Sequence, residues 1–308
     1  ARAEIILPAP ALLNPTNTAS IDQPLLEWQS VTGAVSYSVE LSVSPGLVPI
    51  AYAYRTRSTQ ITPTDSVTNG TYYWRVSGVD GGAVAGTASE VRSFTLVSPP
   101  APVDVTPVLN APADTATIAN DPNFGWLRMV GAHDYRIQIS TNAGFSASFD
   151  SVITHYASFT PYAGSTGTQT NYPSGTYYWK VEGRNGSGTV IGTSSIRSFM
   201  IQLPLWSGAT DFAGGWKWLD WFGWFKDGAG AWGGWIWHAE HGWMYALGTD
   251  PSSIWFWSSR LGWIWTGSGV YPFLWNHSAS AWWFYYRGTG AGAGGWFYNY
   301  GNGQTEWH

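Results

Sequence analysis

At 308 residues the chain has room for two or three domains. With 11% charged residues and a net charge of −5 it lacks the basic face that nucleic acid or an anionic membrane surface would require. It has no cysteine, which suits an exported bacterial protein built without disulfides, and no apolar run reaches the roughly 18 residues of a transmembrane helix.

Glycine, serine, threonine and proline are abundant and helix-period patterns are scarce, so the fold class is all-β. The first residues, Ala1-Arg2-Ala3-Glu4, lack a Met and look like the product of a removed signal peptide, so a secreted, extracellular or cell-surface protein is expected. After a pre-strand, Ile5-Ile6-Leu7, a tandem repeat begins. Leu26-Glu27-Trp28 answers Phe124-Gly125-Trp126, and Tyr37-Ser38-Val39-Glu40-Leu41 answers Tyr135-Arg136-Ile137-Gln138-Ile139, both at an offset of 98 (126 − 28, 135 − 37). Gly70-Thr71-Tyr72-Tyr73-Trp74 answers Gly175-Thr176-Tyr177-Tyr178-Trp179 at 105 (179 − 74), so the second copy carries 7 extra residues (105 − 98) before Gly175, in an edge-strand loop. Within each copy the apolar residues alternate, as in half-buried antiparallel strands, and turn signals such as Asn69-Gly70 and Asn185-Gly186 divide them. The predicted domains are 1–98, 99–203 and 204–308.

Trp28 and Trp126, with the runs Tyr72-Tyr73-Trp74-Arg75-Val76 and Tyr177-Tyr178-Trp179-Lys180-Val181, resemble the fibronectin type III family. The resemblance covers roughly residues 5–202 and implies two tandem Ig-like sandwiches. It also implies that Tyr72 and Tyr177 make the corner hydrogen bond while Trp74 and Trp179 enter the core. Such sandwiches serve as spacers, scaffolds and binding modules. Ile5-Ile6-Leu7 aligns with Val103-Asp104-Val105 in a proline-rich junction. If the latter leans on the preceding sandwich, Ile5, Ile6 and Leu7 are candidates to lean on a neighbouring copy and string subunits head to tail. The competing expectation is that they pair at the edge of their own domain.

From Trp206 to the end, 18 of the 22 tryptophans gather, and 31 of 103 residues are Trp, Tyr or Phe. Five repeats start near Trp216, Trp235, Trp255, Phe273 and Trp296. Their template is W-x-W-x4-G-W-x-aromatic, which reads as strand, tight turn, strand. The aromatics fall at even positions and share one face. Gly223, Gly242, Gly262 and Gly303 hold the turn position, while Ser280 holds it in the fourth copy, where Trp282-Trp283 is shifted. Odd positions such as Ile236, Phe256 and Leu274 are apolar too. The expectation is therefore a hairpin array covered on both faces, with most tryptophans in the core. Trp206, Trp221, Trp232 and Trp307 break the template and are the predicted exposed contacts for a glycan or partner.

This region loosely resembles the aromatic hairpin repeats of choline-binding cell-wall modules. It is more similar to Trp-rich C-terminal segments of secreted proteins from environmental bacteria. Neither resemblance brings a site to this chain. His238-Ala239-Glu240-His241 contains half a zinc set and is expected to be an exposed polar turn. No catalytic constellation, metal set or cofactor motif is evident. The sequence favours a non-catalytic secreted structural protein, a subunit of an extracellular fibre or surface assembly that polymerises with itself. The alternative is a carbohydrate- or cell-wall-binding protein with the Trp-rich domain as its glycan-binding module.

Overall fold

The computed structural model describes residues 6–64, 66–162, 172–228, 233–290 and 294–308. The chain is all-β and divides into two compact units, one holding the two repeats within 7–202 and the other holding the aromatic region from Leu203 onward.

Each repeat is a two-sheet sandwich, and the two share one topology. In the first, Leu12–Asn14, Leu26–Trp28 and Gln60–Ile61 form one sheet. The other runs Ala19–Ile21, Arg92–Leu96, Gly70–Val79, Ser36–Ser42, Tyr52–Thr56, with Ala85–Ala88 paired to Gly70–Val79. Alternate residues enter the core: Val39, Leu41, Trp74, Val76 and Phe94 are fully buried, as are Ile137, Ile139, Trp179, Val181 and Phe199 in the second copy. The corner bonds implied by the resemblance are present. Tyr72 Oη donates to the Thr68 carbonyl at 2.9 Å and Tyr177 Oη to the Pro173 carbonyl at 2.8 Å. A second repeated pair was not foreseen: Tyr37 Oη accepts from Val31 N–H at 2.9 Å, and Tyr135 Oη from Met129 N–H at 3.0 Å.

The 7 extra residues fall between Phe159 and Gly175, since 15 residues intervene there against 8 between Ile61 and Gly70. The segment leading into that longer loop, Tyr156 to Tyr162, ties the second sandwich to the first. Tyr162 is buried in the first sandwich's core, its ring 5.2 Å from Tyr54 and its hydroxyl 2.8 Å from Thr64 Oγ1. Thr56 Oγ1 donates to the Pro161 carbonyl, Val67 N–H donates to Tyr156 Oη, and Ser158 Oγ donates to Thr62 Oγ1. Buried polar groups satisfied across a seam hold its two sides in one register.

Both pre-strands lean on their own sandwiches, which overturns the premise of the head-to-tail argument. Leu7 is 4% exposed, its carbonyl accepts from Thr87 N–H, and it presses on Gly86, where a Cβ would sit 2.5 Å from the Leu7 Cβ and 2.6 Å from its carbonyl oxygen. Asp104 bridges Met129 in parallel and accepts from Val130 N–H, within the second sandwich. Ile6 is exposed, and Ile5 lies outside the described residues.

The aromatic region is one 11-stranded antiparallel meander in chain order. After a first strand, Thr210–Phe212, come five hairpins: Trp216–Leu219 with Gly223–Asp227, Gly233–His238 with Gly242–Asp250, Ser253–Ser258 with Gly262–Thr266, Phe273–Asn276 with Ala281–Tyr285, and Trp296–Asn299 with Gln304–Trp307. They start where the sequence places them. Turn glycines 223, 242, 262 and 303 have φ of 102°, 74°, 65° and 73°, and Ser280 takes 47°.

Which face is interior differs from expectation. The odd positions Ile236, Met244, Ile254, Phe256, Ile264, Leu274 and Phe297 form the core, and the even aromatics face outward. The sheet curls so that its inner face meets itself. Phe222 lies 5.2 Å from Phe256, three strands beyond the one it adjoins, and His241 lies 4.4 Å from Tyr285. In a flat sheet three strand spacings would separate such residues by about 14 Å. Aliphatic and single-ring side chains fill most of that concave interior, with Trp206 and Trp283 the indoles among its buried residues, while the even-position indoles occupy the convex side, where there is room.

Candidate functional site

The outer face carries paired aromatics across neighbouring strands. Trp218 lies opposite Trp224, Trp237 opposite Trp243, Trp257 opposite Trp263, and Trp296 opposite Trp307. Rings meet mostly edge to face, at 5.5 Å for both Trp237–Trp243 and Trp296–Trp307, so each pair leaves ring surface open. Trp243 is 61% exposed and Trp235 47%. Monomeric proteins rarely leave aromatic surface of this extent uncovered unless something docks on it.

Two concavities open on this face. One, of about 720 Å³, is lined by Trp216, Trp235, Trp237 and Trp243 with Lys226 and Asp227. Gly215 and Gly228 complete it and add no side chain. The Lys226 ammonium sits over the Trp216 ring at 5.3 Å. The second, of about 570 Å³, is lined by Trp235, Trp243, Trp257 and Ser259. Flat apolar walls with a few polar groups at the rim are the ordinary make-up of a small-molecule site.

The predicted contacts separate. Trp307 is 52% exposed on this face. Trp206 is buried, contrary to expectation: it packs in the curled interior, 4.8 Å from Phe225 and 6.1 Å from Phe222. A residue outside the repeat is free to plug the space the repeat encloses, so breaking the template did not mean exposure. Trp221 is half-buried against Phe222 and Tyr271. Trp232 lies outside the described residues. The residues that line the concavities, Trp216, Trp235, Trp237, Trp243 and Trp257, are template tryptophans that sequence reasoning had assigned to the core. The available signal was their confinement to even positions while Ile, Met and Leu hold the odd ones.

His238-Ala239-Glu240-His241 is not an exposed turn, since His238 and His241 are 1% and 5% exposed. His238 Nδ1 accepts from the backbone N–H groups of Glu240 and His241, and Nε2 donates to the Phe222 carbonyl at 2.9 Å. Both ring nitrogens are therefore occupied, and no cluster of three or more metal-ligating side chains occurs among the described residues. Burial lowers the His238 pKa to about 4, and burial with the neighbouring His238 pushes His241 well below the ordinary histidine value. His241 Nε2 meets Tyr271 Oη at 3.1 Å, and Tyr285 Oη donates to Glu240 Oε2 at 2.7 Å. Burial raises the pKa of both tyrosines. This network pins turns to strands inside the curl.

No family model matches the chain, and no curated protein matches it. Its structural neighbours are fibronectin type III domains. The FN1–FN3 domains of chicken CNTN1 match over 65% of this chain and 69% of theirs, at 12% identity and a TM-score of 0.24. The fibronectin(III)-like modules of Clostridium thermocellum CbhA match over 63% of this chain and 93% of theirs, at 12% identity and a TM-score of 0.21. These likenesses concern the fold and carry no function to the aromatic sheet.

Proposed function

We propose that this chain is a non-catalytic, secreted binding protein that holds uncharged polysaccharide on the outer aromatic face of its C-terminal sheet. The paired sandwiches serve as its scaffold. The observation that carries this reading is the concavity walled by Trp216, Trp235, Trp237 and Trp243. A sugar ring has an apolar C–H face and a polar edge. Indole faces desolvate the first, and the rim groups of Lys226 and Asp227 meet the second. The region from Leu203 on carries little charge, which suits a neutral polymer. The test is co-sedimentation of the full chain with insoluble cellulose, chitin and bacterial cell wall. Retention on one of them, weakened about tenfold or more by Trp243→Ala, is expected. Absence of retention on all three would overturn the reading.

A second reading is self-association into an extracellular fibre or surface assembly. It is favoured by the extent of the aromatic face, which continues past the concavities to Trp296 and Trp307 on the last hairpin. In this reading the convex face, rather than Ile5, Ile6 and Leu7, is the contact. Electron microscopy and sedimentation velocity on the pure protein decide between the two: ordered polymers that Trp296→Ala or Trp307→Ala dissolve would favour the fibre.

A further inference from the structure

The two concavities are parts of one track, and its direction can be read from the strand register. Trp216 lies opposite Lys226, Lys226 opposite Trp237, and Trp237 opposite Trp243, so these side chains form a row running across the strands. Trp235 lies opposite Tyr245, Tyr245 opposite Trp257, and Trp257 opposite Trp263, giving a second row. All these residues point outward, because residues two apart on a strand share a face. The larger concavity draws its walls from both rows, as does the smaller, and they share Trp235 and Trp243. From the strand of Trp216 to the strand of Trp257 there are four strand spacings, or about 19 Å. That is several times the width of one sugar ring.

Resting on the reading given above, we infer that this track takes a linear, uncharged polysaccharide chain laid across the strands, gripped at two adjoining subsites that share Trp235 and Trp243. Three features select this ligand. The walls are indole faces, which recognise rings and not backbone charge. Lys226 and Asp227 together contribute no net charge, so the track has nothing to neutralise a string of uronates, sulfates or phosphates. Both concavities are open and meet at common side chains, which suits a chain passing through more than a single terminal sugar.

The test is titration of the full chain with cellobiose and cellohexaose, and with chitobiose and chitohexaose, followed by tryptophan fluorescence and calorimetry. The hexaose of one series should bind about tenfold or more tighter than its biose, because occupying a second subsite adds favourable contacts. Trp216→Ala and Trp257→Ala, at opposite ends, should each bring hexaose affinity down to within a few-fold of the parent's biose affinity. Trp243→Ala should weaken biose and hexaose alike. Unchanged urea midpoints would show that these variants remain folded. Equal affinity for biose and hexaose, or a Trp257→Ala protein indistinguishable from the parent, overturns the track. If the chain still sediments with insoluble polysaccharide in that case, the binding reading survives without it. If it sediments with none, both fall.

Discussion

Tryptophan has opposite roles in the two compact units. In the sandwiches, Trp28, Trp74, Trp126 and Trp179 are 0–3% exposed and sit at the centre of the packing, with Trp179 5.0 Å from Phe124. In the aromatic sheet the even-position tryptophans lie outside, and the core is mainly Ile, Met, Leu, Phe and Tyr, with Trp206 and Trp283 the indoles in it. The difference follows from shape. Two sheets facing each other leave a slab about 10 Å thick that an indole fills well. A single sheet curled on itself encloses a narrow space in which an indole on every strand would overpack. The lesson is that aromatic richness at strand period says that one face is special, and curvature decides whether that face is core or surface.

The sharpest way to break this comparison is to truncate one tryptophan of each kind. Trp179→Ala should lower the unfolding free energy of the sandwich pair by about 3–5 kcal/mol, as expected when a large core side chain leaves a cavity. Trp243→Ala should cost about 1 kcal/mol or less, because its ring already faces solvent. Urea denaturation followed by circular dichroism measures both. Comparable losses would mean that the outer face is structural after all.

The next effect separates the units by pH. His238 is neutral in the folded sheet, with a pKa near 4 against 6.5 when unfolded. Between those values the unfolded chain binds the extra proton, so stability is full above pH 6.5 and is lost as pH falls toward 4. A shift of that size is worth about 3 kcal/mol for His238, and His241 acts in the same direction. Tryptophan fluorescence reports mainly on this unit, which holds 18 of the 22 tryptophans. Its urea midpoint should fall across that pH range, and His238→Gln should flatten the fall. Equal pH sensitivity in the parent and the variant would remove the buried histidine from the account.

Much of this architecture was legible. The repeat offset located both sandwiches, the fibronectin type III resemblance carried by Tyr-x-Trp-x-Val implied the corner tyrosines, and the even spacing gave five hairpins whose aromatics share a face. What was not legible depended on contacts distant in sequence. Nothing local in His238-Ala239-Glu240-His241 says that Tyr285 and Phe297 will cover it, so polar residues in a turn read as exposed. Trp206 looked free because no repeat claimed it, yet the enclosed interior did. Leu7 looked available because the pre-strand precedes the domain, whereas Gly86 lets the chain fold back onto its own sandwich.

A smaller effect probes the seam within the sandwich unit, which has no counterpart in the sheet. Tyr162→Phe keeps the ring against Tyr54 and removes the hydroxyl facing Thr64. The loss should be about 1–2 kcal/mol, since Thr64 is left buried and short of a partner. If the seam holds the sandwiches as one cooperative body, the variant should also broaden or split their calorimetric transition. A single transition of unchanged midpoint would mean that the seam is incidental.

The smallest effect tests the repeat itself. The turn residue has a left-handed backbone in every hairpin, and four copies supply glycine for it. Ser280 adopts φ of 47° without that freedom. Its turn is one residue longer than that of the second hairpin: Asn276 pairs with Ala281, whereas His238 pairs with Gly242. The extra residue turns Trp282 outward and Trp283 inward, which accounts for the shifted tryptophan pair. Asn276 braces the turn by accepting from Ala279 N–H and donating to the Leu261 carbonyl. A side chain in the left-handed region costs about 1–2 kcal/mol, and glycine gives part of that back through its own greater entropy loss. Ser280→Gly should therefore raise the sheet's stability by about 0.5–1 kcal/mol, while Gly262→Ser should lower it by a similar amount or more. A destabilising Ser280→Gly would mean that the Ser280 hydroxyl, 3.5 Å from the His277 carbonyl, holds this turn more strongly than backbone strain opposes it.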